Sequence, residues 1–237
     1  MSILDALLTG AIAGGVYGLL ALGFALQYGI ARILNLAYGE GVVLAGITTA
    51  LLYQGLSLSP LIALFVLPSL FALGNFLLHR LLFLPLVGRT LALDGEKEGR
   101  LILLTFGLSF LIQGFLAAEL GGQLFSYSYL GQGVSLGATT VALNRLLAFG
   151  VALALVALAH LVFTCTRLGI AVRALSREPE ESLLVGIPAT RLSTWAFALG
   201  GGVGAAAGVL LSTFHALTPA SGPEFTLKAL VVVILGD

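Results

Sequence analysis

The stretch ALLTGAIAGGVYGLLALGFALQYGIA, Ala6 to Ala31, contains no charged side chain and stops at Arg32. One bilayer crossing needs about 20 consecutive apolar residues, so this stretch reads as a transmembrane helix. The first 31 residues hold no Lys or Arg. They therefore lack the basic head of a signal peptide, and the helix is expected to remain in the mature protein. The rest of the chain repeats the pattern. Of its 237 residues 59% are hydrophobic and 9% are charged, against roughly 25% charged in an average soluble domain. So few charges cannot cover a water-facing surface of this size, and the mean hydropathy of +1.09 agrees. Soluble enzymes are excluded at this point. The apolar runs are continuous, whereas an outer-membrane barrel needs segments of alternating polarity.

The charges then divide the chain. Ile33 to Leu52 is apolar apart from Asn35 and Glu40, and Leu61 to Leu78 carries Pro68 as an expected kink. Leu101 to Ala118, Leu146 to Thr166 and Leu192 to Phe214 complete six full spans. A stretch opening at Leu227 has 11 residues, about 16 Å of helix, too short for a hydrocarbon core of about 30 Å. The expectation is an all-α polytopic helical bundle with an incomplete seventh span, in a chain truncated at its C-terminus. Between the spans lie polar or Gly/Ser-rich connections. A long one, Gly121 to Leu143, is read as a loop whose Phe125, Tyr127 and Tyr129 suit the membrane interface.

Orientation follows from the basic residues. Arg32, Arg80, Arg89, Lys97, Arg100, Arg167, Arg173, Arg177 and Arg191 are nine of the eleven Lys and Arg, and all fall after spans one, three and five. Those connections are expected in the cytoplasm, with the N-terminus outside. Asp94 and Glu178 lie on the same connections. A zero formal net charge gives no reason to expect a nucleic-acid partner. The single cysteine, Cys165, rules out an internal disulfide and a cysteine-based metal cluster. No P-loop, H-E-x-x-H or complete G-x-S-x-G motif is present. No metal, cofactor or catalytic residue is expected.

Three features carry the functional reading. Gly10, Gly14 and Gly18 lie four apart in span one, and Gly200, Gly204 and Gly208 repeat the spacing in span six. Each set forms one smooth helix face. Either it serves close helix packing or it gives an interface that slides during transport. The second feature, Asn35-Leu36-Ala37-Tyr38-Gly39-Glu40, puts a carboxylate inside an apolar span, about 12 Å beyond Arg32 if the chain is helical there. Such a group costs about 2.5–3.5 kcal/mol to insert. Asn35, Tyr38 and Glu40 either line a translocation path or a broken helix, or the carboxylate is buried and satisfied by nearby amides and hydroxyls. The third feature is a short cytoplasmic helix, about Pro179 to Val185, closed by Gly186 and Pro188. Leu183, Leu184 and Val185 need a cover there, either a partner protein or the membrane and the protein's own loops.

Together these residues resemble the bacterial branched-chain amino acid ABC transporter permeases. Asn35 to Glu40 looks like that family's N-[FL]-A-H-G-[ED] motif, with Tyr38 where histidine is common. Gly18 to Phe24, Tyr28-Gly29-Ile30, Thr166 to Ala174, Leu184 to Ile187 and Phe225 to Gly236 resemble further stretches in the family's order. The resemblance implies a single transmembrane permease domain over residues 1–237, in the bacterial inner membrane, that forms the pathway of an importer. It implies a second permease subunit, identical or paralogous, cytoplasmic ABC ATPase subunits and a periplasmic or extracytoplasmic solute-binding protein, with membrane lipid around the permease itself. The chain would hydrolyse no ATP itself. Residues 167–191 would be the coupling loop, with Arg173, Arg177, Glu181, Leu183, Leu184, Gly186 and Ile187 meeting the ATPase. Branched-chain or other amino acids are the implied solutes, with urea or short amides as the alternative within the family. A stand-alone secondary transporter or channel, with Glu40 as its coupling group, or a fragment without function, is the competing class.

Overall fold

In the computed structural model, described over residues 3–87, 95–136, 139–177 and 179–236, the chain is a helical bundle. Arg89, Asp94 and Glu178 lie outside the described residues. Helix α1 covers Ile3–Ala31 and α2 covers Tyr38–Leu56. Helix α3, Pro60–Leu78, passes through Pro68, continues as a π-turn over His79–Phe83 and ends as α4, Leu84–Val87. Helix α5 is Gly95–Leu120, α6 is Leu143–Cys165, and α7, Arg167–Arg177, leads to the short α8, Pro179–Leu184. Helix α9 is Ala189–Ser212, and a 3₁₀ turn at Pro219–Ser221 leads into α10, Gly222–Gly236.

Among the described residues, six segments are long and apolar enough to cross a membrane: Thr9–Ala31, Pro60–Leu86, Gly95–Leu120, Leu143–Cys165, Ala189–Ser212 and Pro219–Gly236. Several boundaries differ from the sequence expectation: the third span runs on to Leu86, the fourth begins at Gly95, and two further shifts have a local cause. The final helix starts at Gly222, not Leu227, because Thr218 and Ser221 form a capping box that turns the chain into it. Residues 33–37 are not helical, so the segment beginning at Ile33 yields a 19-residue helix whose polar ends, Glu40 and Gln54, dilute its hydropathy.

Helix α9 is the axis of the bundle, packed against α1, α2 and α3 and buried over most of its length. Its sequence explains this position, since glycine and alanine dominate from Gly200 to Gly208 and allow backbones to approach. An alanine Cβ at Gly208 would collide with the carbonyl of Val42, and one at Gly200 would lie 2.5 Å from the Gly23 carbonyl oxygen. Phe24, Phe225, Leu19 and Leu211 fill the main core, and Phe83, Phe197, Leu101 and Leu175 fill a second cluster beside it.

The connection between α5 and α6 is more ordered than a plain loop. Strands β1, Gly133–Leu136, and β2, Thr139–Ala142, form an antiparallel hairpin. Upstream, Phe125 exchanges backbone hydrogen bonds with Leu217, and Tyr127 stacks on Tyr53 with centroids 4.8 Å apart. Tyr53 and Gln54 donate to the carbonyls of Ser128 and Ser126. The loop is thus clamped over one end of the bundle. Arg32 donates to the Ser176 carbonyl at the other end, 3.0 Å away.

Candidate functional site

The chain leaves α1 at Arg32, which takes a left-handed φ of 53°, and turns back along the helix in extended form. Its return is traced by side chains. Asn35 Nδ2 donates to Gln27 Oε1 at 2.9 Å, and the Tyr38 hydroxyl donates to the Leu20 carbonyl at 2.7 Å. Leu20 lies 11 residues before Ala31, about 16 Å up the helix. Helix α2 therefore starts inside the bundle, and Glu40 stands in its first turn. The expected helical path of about 12 Å from Arg32 to Glu40 is corrected accordingly.

Non-helical backbone at this depth needs partners from protein for its polar groups, and several groups of residues 33–37 have them. The Leu34 carbonyl accepts from Thr105 Oγ1 and the Leu36 carbonyl from Thr226 Oγ1. The Ala37 amide donates to Asn35 Oδ1, and the Gly39 amide donates to Thr226 Oγ1 at 2.8 Å. Three polar side chains from α1, α5 and α10 hold the break in place. None of them was singled out from sequence. The available signal was an amide or hydroxyl inside an otherwise apolar span, as at Gln27 and Thr105.

Beside the break lies a cavity of about 110 Å³ between α2, α3, α5 and α9, lined by Asn35, Tyr38, Phe71, Asn75, Leu108 and Gly204, among others. Asn75 on α3 was also missed. Its amide nitrogen donates to the Phe71 carbonyl, and its oxygen accepts from Gln27 Nε2 at 3.4 Å. Gln27 also donates to the Phe197 carbonyl at 3.1 Å. Asn35, Gln27 and Asn75 thus form one amide chain, two members of which face the cavity. Such a lining can present donors and acceptors to a polar solute without a fixed charge.

Of the four motif residues, Asn35 and Tyr38 face this cavity, while Gly39 and Glu40 turn to α10. Glu40 is fully buried, accepts from Ser109 Oγ at 3.0 Å, and presses against Gly222 at the start of α10. Its second oxygen has no hydrogen-bond partner. A Cβ at Gly39 would strike the Gly222 carbonyl, so this glycine is required by the close α2–α10 crossing. Among the other glycines, Gly200, Gly204 and Gly208 all touch neighbours, whereas Gly10, Gly14 and Gly18 face open space. The face of α1 that packs within the chain carries Gly15, against Phe149, and Gly23, against Tyr38 and α9.

The second candidate surface is the α7–α8 region. Arg173, Arg177, Glu181, Leu184 and Gly186 are exposed and Ile187 is half-buried. Arg173 donates to the Phe163 carbonyl, which ties α7 to the end of α6. Helix α8 closes as expected: Gly186 adopts φ +83°, and the Ile187 amide donates to the Ser182 carbonyl. Leu184 and Val185 are 89% and 82% exposed. The side chain of Leu183 lies outside what is described.

The sequence profile described as branched-chain amino acid transport system, permease component, matches residues 6–237. The chain is 26% identical to the high-affinity branched-chain amino acid transport system permease protein LivH of Salmonella typhimurium and to that of Escherichia coli. It is 25% identical to the corresponding protein BraD of Pseudomonas aeruginosa. Each of these matches covers 98% of this chain and 78% of the relative. No solved structure matches.

Proposed function

Because the chain belongs to the branched-chain amino acid transport system permease component family, we propose that it is the multi-pass inner-membrane permease subunit of an ABC importer. Residues 1–237 act as one transmembrane domain whose pathway passes the cavity at the helix break. The observation that carries this reading is a largely apolar cavity, with Asn35 and Asn75 in its wall, beside non-helical backbone in the bundle interior. Discontinuous helices are where membrane transporters place solute sites. The solutes are amino acids, branched-chain ones first, since the relatives are named for them. Asn35, Tyr38 and Asn75 meet the solute in transit.

Transport is driven from outside this subunit, which is a permease and not itself an enzyme. Residues 167–191 form the coupling loop. Leu184 and Val185 seat in a cytoplasmic ATPase, with Arg173, Arg177, Glu181, Leu183, Gly186 and Ile187 around them. A second permease subunit completes the pathway, and an extracytoplasmic solute-binding protein delivers to it.

Glu40 separates this reading from a proton-coupled carrier. It lies off the cavity, bonded to Ser109 and covered by Gly222, which suits a structural group. In proteoliposomes holding the ATPase and binding protein, leucine uptake by Glu40→Gln should stay ATP-dependent and independent of an imposed proton gradient. Uptake driven by the gradient alone, and lost in Glu40→Gln, would overturn the importer reading.

A further inference from the structure

Away from the helix break, α9 and the end of α3 enclose a cavity of about 330 Å³ lined by Phe76, Arg80, Leu84, Thr190, Arg191, Thr194 and Trp195. Two arginines line this one space. Among the described residues the ion pairs are Arg100 with Glu96 and Lys228 with Glu224, so neither Arg80 nor Arg191 has a carboxylate partner there. Arg191 also sits in the first turn of α9, which carries no acidic residue. The positive end of the helix dipole adds to its charge. Both arginines are exposed, so their charge is available to an anion.

The surroundings specify which anion. Arg80 and Arg191 stand near the same ends of two membrane-spanning segments, Pro60–Leu86 and Ala189–Ser212. Trp195, 59% exposed, packs against Phe76 with ring centroids 5.2 Å apart, an arrangement common at the headgroup level. One helical turn deeper, Ala72 and Leu199 begin an apolar groove of about 570 Å³ that runs between α3, α6 and α9 past Pro68, Gly202 and Ala206. Ala72 is four residues from Phe76 and Leu199 four from Trp195, so pocket and groove share one seam. A free phosphate would use the arginines and leave the groove empty.

We propose that this seam is a binding site for an anionic phospholipid, its phosphate between Arg80 and Arg191 and an acyl chain in the α3–α9 groove. Thr190 and Thr194 also line the pocket, the Thr194 hydroxyl being held by His79 Nδ1 and the Thr190 carbonyl. Arg191 lies three residues after Pro188 and the end of the α7–α8 segment, so a bound lipid would brace the base of that segment.

Trp195 is the only tryptophan in the chain and reports on the pocket directly. The full chain is placed in phosphatidylcholine nanodiscs, and its fluorescence is quenched with phosphatidylglycerol or phosphatidylcholine brominated near the glycerol end of the acyl chain. Each basic residue near a membrane surface favours anionic lipid about fivefold, so brominated phosphatidylglycerol should be preferred by roughly 30-fold with both arginines present. Arg80→Gln and Arg191→Gln should each lower that preference about fivefold, and the double Lys variant should retain it. Equal quenching by the two lipids in the unaltered chain would overturn the proposal, with no variant required. So would a preference that inorganic phosphate at millimolar concentration abolishes, because the site would then belong to a soluble anion.

Discussion

Tyr38 occupies a slot that only glycine neighbours leave open. Its hydroxyl reaches the Leu20 carbonyl, its ring meets Phe24 edge-on at 5.5 Å, and an added Cβ at Gly204 would lie 2.7–2.8 Å from its ring and hydroxyl. Neither a tyrosine ring edge nor the helix backbone behind it can yield cheaply in a close-packed interior. Gly204→Leu should therefore cost about 1–3 kcal/mol, read as a lower thermal midpoint of the purified protein. Gly10→Ala, where the new Cβ meets nothing within 4 Å, should leave that midpoint unchanged or slightly raised, since alanine is the better helix former. Equal losses in both variants would mean that the glycines act through backbone flexibility and not through space. The two glycine strips look alike in sequence, with the same spacing. What distinguishes them is which face α9 turns toward α1, and that depends on Gln27, Gly23 and Tyr38 together, a long-range arrangement that spacing alone does not encode. The importance of Asn35 and Tyr38 was legible because a polar motif in an apolar span demands an explanation. Asn75 and Gln27 carried the same kind of signal in weaker form, as single amides outside any motif.

At the scale of elements, helices dominated by continuous apolar runs were readable to within a few residues, because hydrophobic length alone sets them. The exceptions are where backbone hydrogen bonding is supplied by distant side chains. The extended run 33–37 survives inside the bundle because Thr105 and Thr226, 71 and 190 residues away from their partners, cap its carbonyls. The pairing of strands Gly133–Leu136 and Thr139–Ala142 was likewise invisible, since Gly, Ser and Thr describe a loop as well as they describe two short strands. Helix α8 is the opposite case. Its proline start, its glycine at φ +83° and its exposed leucine all follow from local chemistry. It holds only six residues, far too few to be stable alone, so its form depends on what covers it. Leu183→Asp with Leu184→Asp should release a co-purifying ATPase subunit while membrane insertion and solute-binding-protein contacts persist. Undiminished co-purification would remove the coupling role from α8 and return it to an interfacial position.

For the molecule as a whole, internal contacts sort the connections between helices into two ends. Arg32 bonded to Ser176 places the turn after α1 with α7, while Gln54 bonded to Ser126 and the Phe125–Leu217 bridge gather the other connections opposite. This grouping needs no membrane to define it. It gains a direction only from charge, since eight of the ten described Lys and Arg fall on the Arg32 end or on the helix ends leading to it. A potential difference across the membrane and anionic inner-leaflet lipid both favour holding that end inside. The chain's single cysteine makes the direction measurable. Cys165 is exposed at the end of α6, next to Arg167 and α7. A membrane-impermeant maleimide should leave it unlabelled in intact spheroplasts and label it in inverted vesicles. A cysteine at exposed Ser57, between α2 and α3, in a Cys165→Ser background should show the reverse pattern. Labelling of Cys165 from outside would turn the bundle over and put α8 beyond the reach of any cytoplasmic ATPase. Labelling of both positions from the same side would instead break the two-ended grouping and show that α2 re-enters without crossing.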